Sequence, residues 1–154
     1  MGFCAPRYSF TRPADGTAYG ASDLVANDVD AADVVPMKWR TQTNSGRIVA
    51  VSVFTDDETV TNANFLLNLF RAAPTPSVGD NGVYAVASTA DQIGTVALDM
   101  TTGATTSSTD KHKRFALSTP IHFQAEPLYG LLQTQAAYDP DGAEEFEITL
   151  EIEE

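Results

Sequence analysis

The apolar and polar residues of this chain alternate in short runs, with a period of two that is typical of β-strands. The clearest run is residues 144–152, in which Phe146, Ile148, Leu150 and Ile152 alternate with glutamate and threonine. We therefore expect these four residues to face the core. The glutamates form a column on the outer face, where their like charge discourages pairing with another chain.

A second apolar run, residues 128–137, is separated from this strand by the turn-rich residues 138–143. Two such runs joined by a short polar turn predict a hairpin. The end of the chain is therefore expected to form an antiparallel hairpin with one solvated face.

Residues 64–70 form the most apolar segment of the chain. As a strand, this segment carries apolar side chains on both faces, so it must lie inside the fold with both faces covered. A short helix after Thr61 is the alternative, since several of the apolar residues also match helical spacing. Pro74 and Pro76 then prevent regular strand pairing, and residues 80–82 favour a turn.

Residues 47–55 predict another interior strand, because they are rich in β-branched residues and apolar on both faces. Residues 44–46 have the composition of a hairpin turn and connect this strand to a strand within residues 34–43. Further strands are expected within residues 7–12, 23–27, 83–87, 93–98 and 115–123. The expected core contains Val49, Val51, Val53, Phe65, Leu67, Leu69, Leu131, Phe146, Ile148 and Leu150.

These patterns predict an all-β protein with a single antiparallel β-sandwich, since no long amphipathic helix is present. A jelly-roll-like sandwich of about 8–10 short strands fits the strand count, whereas an immunoglobulin-like domain would need a cysteine pair that this chain lacks. A chain of 154 residues can bury about two thirds of its surface around one core, which predicts one domain over residues 1–154. Small residues throughout 101–109 predict an exposed Thr/Ser-rich loop at about 101–110.

The formal net charge of −12 repels a phosphate backbone, so we expect no nucleic-acid partner. No run of 18 apolar residues is present, and no membrane span is expected. The N-terminus lacks the basic start and apolar segment of a secretory signal, which predicts folding in the cytoplasm where the chain is made. A single cysteine, Cys4, cannot form an internal disulfide, and we assign it no role.

The sequence offers little material for catalysis. His112, His122 and Cys4 are too few and too scattered for a zinc site. Motifs for a nucleophile elbow, a phosphate loop and a dinucleotide fold are absent, so we expect no enzyme activity, cofactor or metal. A carboxylate pair for glycoside hydrolysis is left as an open alternative, because only the distance between the two carboxyl groups in the folded chain would reveal it. Five aspartates could offer oxygen ligands to calcium, but we interpret them as parts of solvated acidic turns. They are Asp28, Asp30, Asp33, Asp139 and Asp141.

Three segments together resemble a known family. They are residues 8–27 (YSFTRPADGTAYGASDLVAN), residues 69–82 (LFRAAPTPSVGDNG), and residues 128–140 with the final alternating strand. The chain resembles the head decoration, or cement, proteins of tailed bacteriophages. This resemblance covers nearly the whole chain and lies in turn and strand patterns. It implies a jelly-roll-like sandwich on the outside of an icosahedral head, made in the host cytoplasm, without enzyme activity.

The resemblance also implies partners. The major capsid protein is the expected partner, and a homo-oligomer, namely a trimer, is expected because such proteins often occupy three-fold positions. Lys111, Lys113 and Arg114 are candidate capsid contacts, since they place three positive charges beside an exposed loop. The alternative is that these residues pair internally with the glutamate column.

A carbohydrate-binding or tail-fibre-type adhesion module is the alternative function. Trp39 and the five tyrosines offer aromatic side chains for stacking on a sugar, although aromatics that alternate within strands usually belong to the core. Stable co-sedimentation with assembled heads and no affinity for glycans would favour the decoration protein. A glycan-array signal that is lost when exposed aromatic residues are mutated would favour the adhesion module.

Overall fold

Eleven β-strands form two antiparallel sheets that pack face to face in the computed structural model, which describes residues 2–154. The first sheet has the order β1–β11–β5–β9–β8, with β2 also paired to β11, and the second has the order β3–β10–β6–β7, with β4 also paired to β10. The strands are β1 (Phe3–Cys4), β2 (Arg7–Thr11), β3 (Leu24–Val25), β4 (Met37–Trp39), β5 (Gly46–Thr55), β6 (Asn64–Phe70), β7 (Gln92–Asp99), β8 (Thr105–Thr106), β9 (Lys111–Phe123), β10 (Leu128–Thr134) and β11 (Glu145–Glu153).

The strand pairing is that of a jelly roll. The first half of the chain pairs with the second half in reverse order: β2 with β11, β4 with β10, β5 with β9, and β6 with β7. One long antiparallel ribbon is therefore rolled into two sheets. The predicted all-β sandwich is confirmed, although β5 and β9, with 10 and 13 residues, are longer than the short strands expected.

Residues 64–70 form strand β6, as predicted, and the helical alternative is wrong. Phe65, Leu67 and Leu69 are buried in the main core between the sheets. Phe70 lies in a second, smaller cluster on the outer side of its sheet, together with Leu24, Ala26, Val34 and Leu131. Side chains from residues 78–86 pack against this cluster, which explains why β6 is apolar on both faces.

The predicted core residues are buried with the exception of Val49, which is half-buried. In the ladder between β5 and β11, Ala50 is opposite Glu151 and Ile48 is opposite Ile152, so Val49 has no partner. This bulge shifts the alternation by one residue. Ile48 therefore joins Val51 and Val53 in the core in place of Val49.

Two expected hairpins are wrong. Strands β10 and β11 belong to different sheets, and so do β4 and β5. The segments that follow β4 and β10 cross from one sheet to the other. Each crossing places the next strand across the core from the previous one, so that the apolar faces of the two strands meet instead of their edges.

The expected strand at residues 83–87 is also wrong, because this segment makes only isolated bridges, Asp23 with Val83 and Pro76 with Val86. The strand expected at 93–98 is confirmed as β7. Strand β9 begins earlier than expected and continues through Pro120. Its ladder skips from Ile48–Ile121 to Ala50–Ala116, so Pro120 lies in an irregular stretch where no N–H is required.

Residues 101–110 are mostly exposed, and the two-residue strand β8 attaches them to the start of β9. Within residues 2–154 no helix has the length and apolar character needed to cross a membrane.

Candidate functional site

Lys111 lies in the core and is not available for a surface contact. Its side chain has 0% exposure, and its ammonium group donates to Thr55 Oγ1 at 3.1 Å, the Asp57 carbonyl at 2.6 Å and Tyr138 Oη at 3.1 Å. A carboxylate oxygen of Glu144 lies 3.6 Å away. The prediction of a capsid contact at Lys111 is therefore corrected, because this side chain is buried. Lys111 forms a buried polar cluster, which we call the lysine cluster, with Thr55, Asp57, Tyr138 and Glu144.

The acidic members of the lysine cluster differ in their affinity for a proton. Burial raises the pKa of Glu144 to about 7, although the charge of Lys111 opposes this shift. Burial acts in the same direction on Asp57, but hydrogen bonding from the Thr59 N–H and the Lys111 charge together lower its pKa. Burial also raises the pKa of the Tyr138 phenol, which stays protonated. The cluster therefore contains one firmly ionised carboxylate and one that binds a proton near neutral pH.

Lys113 and Arg114 also have partners within the chain. The Lys113 ammonium group donates to the carbonyl groups of Asp99 and Thr102, each at 2.5 Å, which attaches the exposed loop to β9. Arg114 makes two parallel hydrogen bonds of 2.6 Å to the Glu151 carboxylate in the glutamate column. The structure thus separates the three basic residues, and a capsid contact through Lys113 or Arg114 stays a prediction.

Sequence reasoning missed a second buried ion pair, between Arg12 and Asp80 at 3.3 Å. Asp80 also accepts hydrogen bonds from Tyr19 Oη at 2.6 Å and from the Ala26 N–H at 2.8 Å. In the sequence, Asp80 has only the signature of a turn residue, and nothing local indicates that Arg12 reaches it. These contacts attach the turn at Asp80 to the end of β2 and to the segment after it.

Three exposed apolar residues lie on two segments near this ion pair. We call Val29, Val35 and Val83 the valine patch; their exposures are 63%, 58% and 69%. The Asp80 N–H donates to the Asp28 carbonyl at 2.7 Å, which joins the two segments.

Asp28 and Asp30, two of the calcium candidates, accept hydrogen bonds from backbone N–H groups. Asp28 accepts from the Asp30 N–H at 2.9 Å, and Asp30 accepts from the Ala32 N–H at 3.0 Å. Within residues 2–154, no cation lies within ion-pair distance of Asp28, Asp30 or Asp33. They place three negative charges on the segment that carries Val29 and Val35.

Asp141 lies close to Asp57 and Glu58 rather than acting with Asp139. One ligand atom from each of these three carboxylates lies within 4.8 Å of the others. One oxygen of Asp57 already accepts hydrogen bonds from Tyr138 Oη at 2.9 Å and from the Asp141 N–H at 3.3 Å. One oxygen of Asp57 is therefore already engaged in hydrogen bonds of the lysine cluster.

A cleft of about 760 Å³ lies at one end of the sandwich and is lined by residues of both sheets; we call it the mouth cleft. On one side, Glu153, Arg47 and His122 are directly opposite one another on β11, β5 and β9. The facing side comes from the second sheet, through Arg71 after β6 and Ile93 on β7. The remaining lining residues are Ser45, Gly46, Phe123, Gln124 and Glu154.

The arginines of the mouth cleft are partly neutralised. Arg47 is 2.5 Å from a carboxylate oxygen of Glu153, and Arg71 is 2.8 Å from one of Asp91. All four side chains are partly exposed, so these pairs add little stability. Trp39, considered above for sugar stacking, is fully buried and donates to the Ile148 carbonyl at 2.9 Å, so it contributes no binding surface.

Neither the protein-family models nor the curated proteins compared with this chain give a match.

Proposed function

We propose that this chain is a structural virion protein that binds the outer surface of a tailed-phage capsid and stabilises the head. Its partner would be the major capsid protein, its assembled form a trimer, and its activity non-enzymatic. The strand order agrees with the jelly roll that the sequence resemblance implies. The net charge of −12 supports a soluble protein that binds a complementary, basic surface.

The observation that carries the proposal is the valine patch. Exposed apolar residues grouped on ordered loops are typical of protein–protein contacts. Its three valines are exposed, and the carboxylates of Asp28, Asp30 and Asp33 lie beside Val29 and Val35 in the chain without internal cations among the described residues. A shell surface with an apolar centre and basic rim would complement it.

The loops of the patch are fixed before any partner binds. Asn27 accepts a hydrogen bond from the Val35 N–H at 2.7 Å and donates one to the Asp33 carbonyl at 3.1 Å. Gly79 packs so closely on Val29 that an added Cβ would lie 1.9 Å from the Val29 carbonyl oxygen. A preordered surface loses little conformational entropy on binding, which favours affinity.

Co-sedimentation with undecorated phage heads tests the proposal. The wild-type chain should bind, and Val29→Ser with Val83→Ser should weaken binding at least tenfold, because burial of each valine contributes about 1.5–3 kcal/mol. Phe54→Ser, a change at an exposed apolar residue outside the patch, is the matched control and should bind normally. Failure of the wild-type chain to bind heads would overturn the proposal.

The predicted basic contact is tested in parallel. Lys113→Gln with Arg114→Gln should leave head binding unchanged if these residues act only within the chain. Weaker and less salt-sensitive binding with an unchanged melting temperature would instead establish the contact. A particle map with a monomer at every site would contradict the trimer.

A further inference from the structure

The mouth cleft carries no net formal charge that would select an ion. Among its lining residues, Arg47 and Arg71 are balanced by Glu153 and Glu154; Arg47 pairs with Glu153, whereas Arg71 pairs with Asp91, which is not a lining residue. The attraction for a free anion or cation is therefore weak, and recognition must depend on hydrogen bonding.

Hydrogen-bond donors and acceptors both remain free in the cleft. Arg47 uses Nε and one terminal nitrogen on a single oxygen of Glu153, which leaves the other carboxylate oxygen and Nη1 of Arg47 without a partner in the part of the chain described here. The Gln124 amide and the Ser45 hydroxyl likewise have no partner within residues 2–154. These groups are able to donate and to accept around one small volume.

From this arrangement we infer that the mouth cleft binds a neutral saccharide. Each sugar hydroxyl both donates and accepts, so neighbouring hydroxyls match the planar donor and acceptor groups of Arg47, Glu153 and Gln124. The same row of paired residues extends to Phe3, which is opposite Glu153 on β1 and is 60% exposed. Its ring offers an apolar surface to the C–H face of a sugar next to the polar groups.

A peptide strand fits the same cleft less well. A bound strand requires a row of free backbone groups. At Arg47, however, the first sheet has strands on both sides, since Arg47 is opposite both Glu153 and His122. The free groups at this position belong to side chains, which favours a ligand with many hydroxyl groups.

A glycan array that carries neutral and sialylated oligosaccharides provides the first test, followed by calorimetric titration of the best soluble hit. The wild-type chain should select neutral glycans. Arg71→Ala and Glu153→Gln should each weaken binding at least tenfold without a large change in melting temperature. Arg7→Ala is the matched control, since it removes an exposed arginine that pairs with Glu147 on β11 outside the cleft, and it should bind as the wild type does.

Backbone amide chemical shifts locate the ligand independently of the variants. Addition of the best hit should move the signals of residues 45–47, 122–124 and 153–154. A blank array, selection of sialylated glycans only, or shifts confined to another surface would overturn the inference, and so would unchanged affinity in both cleft variants. Saccharide binding does not depend on capsid binding, which head sedimentation measures separately.

Discussion

Replacement of Glu144 by glutamine should remove a pH dependence from the stability of this fold. Tyr138 Oη lies 2.9 Å from an oxygen of Glu144 and 2.9 Å from an oxygen of Asp57. The phenol has one proton and can donate to only one of these carboxyl groups. A protonated Glu144 can donate to the phenol oxygen while the phenol donates to Asp57, so one bound proton satisfies both contacts.

The sign and size of the effect follow from the pKa of Glu144. It rises from its ordinary value of 4.5 to about 7 because of burial, so the folded chain binds this proton more tightly than the unfolded chain. The resulting stabilisation is complete below pH 4.5 and is lost as the pH rises to about 7. At about 1.4 kcal/mol per pH unit, the full loss is about 3 kcal/mol.

Urea unfolding between pH 5 and pH 8 measures this loss. The single tryptophan, Trp39, is fully buried, so its fluorescence should report unfolding. Relative to Glu144→Gln, the wild-type chain should lose most of the 3 kcal/mol over this range, since glutamine cannot ionise. The other titrating groups are the same in both proteins, so their contributions cancel in the difference between the two free energies of unfolding. A difference between the two proteins that stays constant within about 0.5 kcal/mol from pH 5 to pH 8 would refute the reasoning.

Three further predictions concern stability. Lys111→Met should cost about 3–5 kcal/mol at pH 8, by urea unfolding, because it leaves buried carboxylates without their cation; the loss should be smaller at pH 5, where Glu144 is protonated, and a loss below about 1 kcal/mol at pH 8 would contradict this. Leu67→Ala should cost about 2–5 kcal/mol in the same assay, and a change below about 0.5 kcal/mol would contradict its place in the core. A chelator should leave the melting temperature unchanged, since Asp57 is already hydrogen-bonded; a clear drop would indicate a native-state metal near Asp57 and Asp141.

The sequence predicted best what depends on neighbouring residues. The alternation in β11 correctly assigned its inward face, and all four apolar residues there are fully buried. Residues 64–70 were correctly assigned to an interior strand, because a segment with apolar side chains on both faces must be covered on both. Both conclusions depend on side-chain direction within one strand, which the period of two determines.

Strand partners were harder to predict. The turn signals at residues 44–46 and 138–143 indicated where the chain reverses, but not whether it stays in the same sheet. Local turn composition is compatible with either outcome, and only the packing of the two apolar faces selects the crossing. The position of Val49 was wrong for a related reason, since its bulge exists only in register with β11.

The sequence by itself determined the strand class, most of the core and the exposure of residues 101–110. Only the tertiary structure decided that Lys111, next to that loop, is buried against Tyr138 and Glu144, and that Arg47 and Arg71 line one cleft from opposite sheets. Hydrophobic periodicity is a property of consecutive residues, whereas ion pairs and clefts unite residues far apart in the chain. Their positions depend on the sheet order that gives the whole chain its lowest free energy.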